Sequence, residues 1–215
     1  MKEGKFSGAF VKVPEPGRYE WIYDLDLTSL YPSIIMTLNI SPETKVGIFT
    51  DFNSDDFRAR KKRKWTLNVS GKYRELDTTE VLEFLEAEGC SIGSNGAMFK
   101  TDKTGLILSI LDRWFSERVE FKNLRKKYEK EGDLAKAAYF DQMQYTTKIL
   151  LNSMYGVLGN KTFRFFDIDN AEAVTLTGQQ LIKATGEFGS KFYNDELGTK
   201  DVDYCIYTDT DSVFF

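Results

Sequence analysis

Two helical runs separated by only three residues constrain this chain more than any other feature. From about Leu106 to Lys130 the pattern predicts a helix, with Leu108, Leu111, Phe115, Val119 and Phe121 as its apolar contacts in an otherwise charged stretch. A second helix is predicted from about Leu134 to Met154. Glu131-Gly132-Asp133 joins them, with Asp133 placed to cap the second. Helices of that length on so short a turn must pack antiparallel, as an αα-hairpin. Arg118 and Lys122, four apart, share a face that Arg125 or Lys126 extends. On the second helix Lys148, Asn152 and Tyr155 stack at i, i+4 and i+7. Surface solubility alone accounts for cations such as Arg118 and Lys122. Lys148 differs, because it opens the largely apolar run Lys148-Ile149-Leu150-Leu151. A hairpin offering three cations and an amide can clamp a triphosphate.

Carboxylates stand at two turns far apart in sequence. Residues 19–25 alternate as a strand does, with Trp21, Tyr23, Leu25 and Leu27 on one face and Glu20, Asp24 and Asp26 on the other. Pro32 then sits where a helix can begin, Ser33 to Leu38 continue it, and Asn39-Ile40-Ser41-Pro42 ends it. An acid at a strand end, followed by backbone N–H groups at a helix start, can hold a divalent cation and the phosphates it carries. Taken alone this is ordinary turn chemistry. The second acidic turn, Tyr207-Thr208-Asp209-Thr210-Asp211-Ser212, changes its weight; strands are expected on either side, at Tyr204–Tyr207 and Val213–Phe215.

The remaining chain reads more coarsely. Residues 1–18 form a lead-in punctuated by Gly and Pro. Val46–Phe49 and Trp65–Val69 are short strand candidates, and the basic run Arg58–Lys64 between them suits either a solvated face or contact with a phosphate backbone. Thr78–Leu85 reads as a capped amphipathic helix, and Gly89–Thr101 as loop with a tight turn at Ser94-Asn95-Gly96. Phe163–Phe166 is expected as a strand and Asn170–Phe188 as a helix. The absence of histidine from all 215 residues excludes His-based acid–base catalysis, a Ser-His-Asp triad and nearly all zinc enzymes. Cys90 and Cys205 are too few for a cysteine zinc site or a disulfide scaffold, and read as thiols of a reducing compartment. No apolar run is long enough to span a bilayer, so no membrane is expected.

The three elements, in order, resemble motifs A, B and C of family B DNA polymerases: Asp26 to Ile34, Lys148 to Gly156, and Tyr207 to Ser212. The Asp-Leu-Thr form of the first, with Ile40-Ser-Pro-Glu-Thr44, Ser94-Asn-Gly96 and Gly159-Asn160, is most similar to T-even-type bacteriophage replicative polymerases. The resemblance implies an α+β fold: a palm with a small antiparallel β-sheet and helices, plus an antiparallel α-helical hairpin as fingers. It assigns residues 1–103 and 158–215 to the palm and 104–157 to the fingers. It implies two Mg²⁺ ions, replaceable by Mn²⁺, held by Asp26 and Asp211 with the Leu27 carbonyl and Asp209 assisting. Backbone around Ser29, Leu30 and Tyr31 would hold phosphates, and the Tyr31 ring would exclude a 2′-hydroxyl. Arg118, Lys122, Lys148 and Asn152 would line the triphosphate; Tyr155 and Gly156 would pack on the nascent base pair. Thr208 stands where the family has glycine, and is expected to set a Cβ beside a metal ligand.

The implied activity is template-directed addition of deoxynucleotides to a primer 3′-hydroxyl, in which the protein positions and neutralises charge. Its partners would be primer–template DNA, a dNTP, the exonuclease and thumb of a longer polymerase chain, and a sliding clamp. Its place would be the cytoplasm of a phage host. An inactive palm-like module binding nucleotide or nucleic acid, or another palm nucleotidyltransferase, are the rival readings.

Overall fold

The computed structural model describes residues 8–14 and 16–215; residues 1–7 and 15 of the lead-in lie outside them. In chain order the elements are β1 (Val11–Lys12), β2 (Asp24–Asp26), α1 (Leu30–Leu38), β3 (Lys45–Phe49), α2 (Ser54–Arg58), β4 (Lys64–Val69), β5 (Lys72–Asp77), α3 (Thr78–Ala87), β6 (Cys90–Ile92), β7 (Ala97–Lys100), α4 (Leu106–Glu131), α5 (Leu134–Leu158), α6 (Ile168–Leu197), β8 (Tyr207–Asp209) and β9 (Ser212–Phe214). This is an α+β arrangement with two antiparallel sheets. One runs β1-β8-β9-β2 and the other β5-β4-β3-β7-β6.

The four-stranded sheet is one-sided. Leu25 pairs with Val213, and Val213 with Thr208, so these three share the face that α6 covers. Val213 and Thr208 are buried there beside Ile182 and Cys205. The two-residue period of a strand sends Asp24, Asp26, Asp209, Ser212, Tyr207 and Phe214 to the opposite, open face. A core around Ile34, Ile35, Leu111, Leu151 and Val174 joins α1, α4, α5 and α6. A second core, with Phe49, Trp65, Leu67, Leu76, Val81 and Met98, lies between the five-stranded sheet and α3. Trp65 is fully buried, and its indole N–H donates to Thr78 Oγ1 at 3.0 Å, so its polar edge is satisfied. Lys45 Nζ on β3 ties this sheet to the start of α6, reaching Asp167 at 2.8 Å and Asp169 at 2.9 Å.

The helical hairpin forms as its short connection demands. Gly132 ends α4 at φ 77°, and the Asp133 carboxylate caps α5 by accepting from the Lys136 N–H at 3.0 Å. Its apolar contacts differ from those expected. Ile107 and Leu111 are buried at the root, whereas Phe115 and Val119 are exposed. Towards the tip the seam is aromatic, with Phe140 stacking on Phe121 and Tyr128 at centroid distances of 6.2 and 5.6 Å.

The root of α4 is held from a distance. Asn39, left-handed at φ 55° where α1 ends, gives its amide N–H₂ to the carbonyls of Lys100 and Lys103, each at 2.7 Å, and takes the Gly105 N–H at 2.8 Å. The Glu43 carboxylate takes the Leu106 N–H at 2.5 Å and the Ser41 hydroxyl at 2.6 Å. These bonds satisfy the first N–H groups of a helix whose own cap, Gly105, has no side chain. Any Cβ at Gly105 would come within 2.9 Å of Asn39 Oδ1 and 2.8 Å of Ser41 Cβ.

Several local expectations are corrected. The strand expected over 19–25 is confined to β2, because Trp21 turns left-handed at φ 63° and is 96% exposed. The first helix begins at Leu30, two residues before Pro32. Residues 89–101, read as loop, form the β6–β7 hairpin around Gly96, whose φ is 85°. Phe163–Phe166 forms turns instead of a strand, with Phe163 and Phe165 meeting edge to face at 5.6 Å. β8 starts at Tyr207, not Tyr204; α6 extends nine residues beyond Phe188, to Leu197.

Candidate active site

The two acidic turns meet through the backbone. Asp26 pairs with Ser212, and Ser212 with Asp209. The Leu27 N–H donates to the Asp211 carbonyl at 2.7 Å, and the Asp211 N–H to the Asp209 carbonyl at 2.6 Å. Asp26 and Asp209 therefore sit two strand spacings apart, about 10 Å between backbones, with Asp211 in the turn between. Each turn carries a non-glycine residue in left-handed conformation: Ser29 at φ 54° and Thr210 at φ 56°. Such a residue costs about 1–2 kcal/mol, a strain found where a turn's shape is functionally constrained.

The electrostatics tie the turns to the helical hairpin. Partial burial, then the Asp26 carboxylate and more weakly Asp209, push Asp211 above the usual carboxylate range, while Lys148 opposes them. Arg118, then partial burial, Lys126, Lys148 and Arg125, hold Lys122 below the usual lysine range. Lys148 thus acts on both Asp211 and Lys122. The Arg118 Nε is buried with no hydrogen-bond partner among the described residues. Crowded cations with an unsatisfied donor suit an anionic ligand.

Two tyrosines pack against each other close to Asp211. The Tyr31 and Tyr155 rings are 4.6 Å apart, tilted by 49°. Burial, then the nearby Tyr31, push Tyr155 up to about 12, against the effect of a hydrogen bond with Thr175. Burial, then the Asp211 charge, also raise Tyr31. A Cβ at Gly178 of α6 would lie 3.1 Å from Tyr31 Cε1, so this glycine lets the ring seat.

Of the residues singled out from sequence, Asp26, Leu27, Asp209 and Asp211 are grouped around β9, and Tyr31, Tyr155, Arg118, Lys122 and Lys148 are linked to them by contact or charge. Leu30 is buried, which leaves only its backbone for a ligand, and the Ser29 carbonyl accepts from the Ser33 N–H at 2.9 Å. Asn152 and Gly156 are exposed on α5, with no hydrogen bond from the Asn152 side chain among the described residues. Thr208 overturns its expectation: it faces α6, away from Asp209, and its Oγ1 accepts the Lys12 N–H of β1 at 3.0 Å. Thr175 and Gly178 have no motif of their own, and only their seat beneath the tyrosines marks them.

Hard oxygen donors and mutually repelling carboxylates are what a divalent cation relieves, so the donor set fits Mg²⁺. Among the described residues, no three acidic side chains close into a single cage. The site is open; hollows of about 660 and 670 Å³ lie elsewhere, beside Val13 and Tyr207 and between Lys45 and Asn68.

The profile of "DNA polymerase family B" matches residues 1–215. The DNA-directed DNA polymerase of Escherichia phage RB69 is 28% identical over 97% of this chain and 26% of its own length. A DNA polymerase of Pyrococcus glycovorans is 32% identical over 97% of this chain and 21% of its own length. The structure of the family B DNA polymerase from Pyrobaculum calidifontis superposes with a TM-score of 0.61 and 26% identity, covering 100% of this chain and 22% of that one. The chain thus spans about a quarter of the length of the phage relative.

Proposed function

The chain belongs to DNA polymerase family B, and from that premise we propose that it carries the palm (1–103 and 158–215) and fingers (104–157) of a template-directed DNA polymerase of phage-replicative type, acting in the host cytoplasm. Supporting this is the electrostatic coupling of Asp211 to Asp26 and Lys148, and of Lys122 to Lys148 and Arg118. No other single observation joins acids and cations in the order that a metal-bound triphosphate requires.

In this reading Asp26 and Asp211 would hold Mg²⁺, or Mn²⁺ in its place, with the Leu27 carbonyl and Asp209 assisting. When bound, the ions supply Lewis acidity to the primer 3′-hydroxyl and charge neutralisation to the leaving pyrophosphate. Backbone N–H groups over Ser29–Tyr31 bind phosphate oxygens at the start of α1. Arg118, Lys122 and Asn152 position the triphosphate; Lys148 does so too, and gives a proton from Nζ to the departing pyrophosphate oxygen. Tyr31, held by Tyr155 and seated over Gly178, closes the space a 2′-hydroxyl would need. Tyr155 and Gly156 test the new base pair by its shape.

Titration of the chain with Mg²⁺ and a dNTP, followed by addition of one nucleotide to a primer with protein in excess, tests this. Asp211→Ala should abolish metal-dependent addition. Lys148→Ala should weaken dNTP binding and slow addition by about 10²–10⁴-fold. Undiminished addition by Asp211→Ala would remove the assignment and leave a binding module.

A further inference from the structure

Residues 58–74 hold eight cations and no acid, in a chain whose totals are 29 and 33. They span the end of α2, the connection into β4, and the β4–β5 hairpin at the edge of the five-stranded sheet. None of them belongs to the group of residues just described.

The structure sorts these eight into two sets. Lys61 pairs with Asp56 at 2.6 Å and Lys64 with Glu75 at 3.1 Å. Arg63 pairs with Asp56 at 3.1 Å and lies 4.3 Å over the Trp65 ring, so it belongs to the second core's edge. Arg58, Arg60, Lys62, Lys72 and Arg74 are exposed, and no carboxylate among the described residues pairs with them. Arg58, Arg60 and Lys62 precede the end of the β4–β5 hairpin where Lys64 pairs with Asp77, and Lys72 and Arg74 lie towards its tip, where Val69 pairs with Lys72, so the five spread positive potential along this edge.

The mounting is firm. Ser54 Oγ and Asp55 of α2 bond to the Gln180 side chain of α6 at 2.6 and 2.7 Å. The helix ends in a paired turn, with the Arg60 N–H on the Phe57 carbonyl and the Lys61 N–H on the Asp56 carbonyl, each at 3.0 Å. Arg60 occupies the left-handed position of that turn at φ 50°, where glycine is the favoured residue. The chain thus carries a charge at a position whose conformation disfavours it.

We propose that this basic edge is a second DNA contact, holding the phosphate backbone of the polymerase's own DNA without reading its sequence. Cations spread along an edge suit phosphates, whose contacts position a nucleic acid without carrying sequence information. This rests on the polymerase reading for the identity of the nucleic acid.

The test uses the 215-residue chain and labelled DNA, as a single strand and as primer–template duplex, with affinity measured across a salt series. Arg60→Gly removes a charge while improving the turn, so it separates charge from folding; the set Arg58→Gln, Arg60→Gly, Lys62→Gln and Lys72→Gln removes four. For every phosphate that a variant ceases to neutralise, the slope of log K against log salt should flatten by about 0.7–0.9. The set should therefore flatten it by about 3 on whichever DNA form the edge holds, with Arg60→Gly giving about a quarter of that. A change in slope below about 1 for the set, on both forms, overturns the proposal. Asp211→Ala should leave the slope unchanged while abolishing nucleotide addition, so the failure of either reading shows separately.

Discussion

Thr208 shows how far one residue's meaning depends on the side of a strand it takes. Its neighbours Tyr207 and Asp209 face the open side, and Thr208 faces α6, where it accepts the Lys12 N–H. The alternation that places it was already in the sequence, but residue type alone suggested crowding of a ligand. Thr208→Val keeps the shape and orphans that N–H, so chemical denaturation should show a loss of about 1–2 kcal/mol, with nucleotide binding unchanged. Gly178→Ala carries the opposite signature. Its methyl would press on Tyr31 Cε1 from 3.1 Å, moving the ring without unfolding the chain. Discrimination against ribonucleotides should fall, read as the ratio of ribo- to deoxynucleotide incorporation in competition. No pattern in the sequence points to Gly178, since its role exists only once α6 lies beneath Tyr31.

Helices were more legible than strands, for a physical reason. A run such as α5 shows several turns of the 3.6-residue period and a cap at each end, whereas β2, β6, β8 and β9 are three residues each and cannot establish a two-residue one. β5 went unread because Lys72-Tyr73-Arg74-Glu75 is polar throughout; edge strands carry such charge to discourage pairing with other chains. The acidic turns and helical hairpin were legible because chemistry and spacing coincide there, while the anchoring of α4 by Asn39 and Glu43 joins residues more than sixty positions apart. That anchor has a pH dependence. Burial works against the charged form of Glu43, but the Leu106 N–H and the Ser41 hydroxyl outweigh it and hold its carboxyl below the ordinary range. A depressed folded value means that the stabilisation is complete above the unfolded value of about 4.3 and is lost as pH falls through the folded one. Glu43→Gln should reduce that acid-side loss, and at neutral pH cost about 0.5–1 kcal/mol, as the removal of a helix cap does. Thermal melts from acid to neutral pH would show both.

At the scale of the molecule, the acidic turns lie apart from two groups of cations, on the helical hairpin and along the β4–β5 edge, and the chain spans about a quarter of the phage relative that it matches. Its site is open, with Asp26 and Asp209 exposed. Little here would encircle a primer–template, so single additions are expected without processive synthesis, read as product length in the presence of a DNA trap. The anchored root of α4 bears on how such a molecule moves. Twenty-six residues of helix make an arm about 39 Å long and about 5 Å in radius. A give of about 0.3 Å where Asn39 and Glu43 grip one side would swing the far end by about 2 Å. The bonds at that fulcrum are few and short, so the reach of the arm is metered by how far an asparagine and a glutamate will stretch.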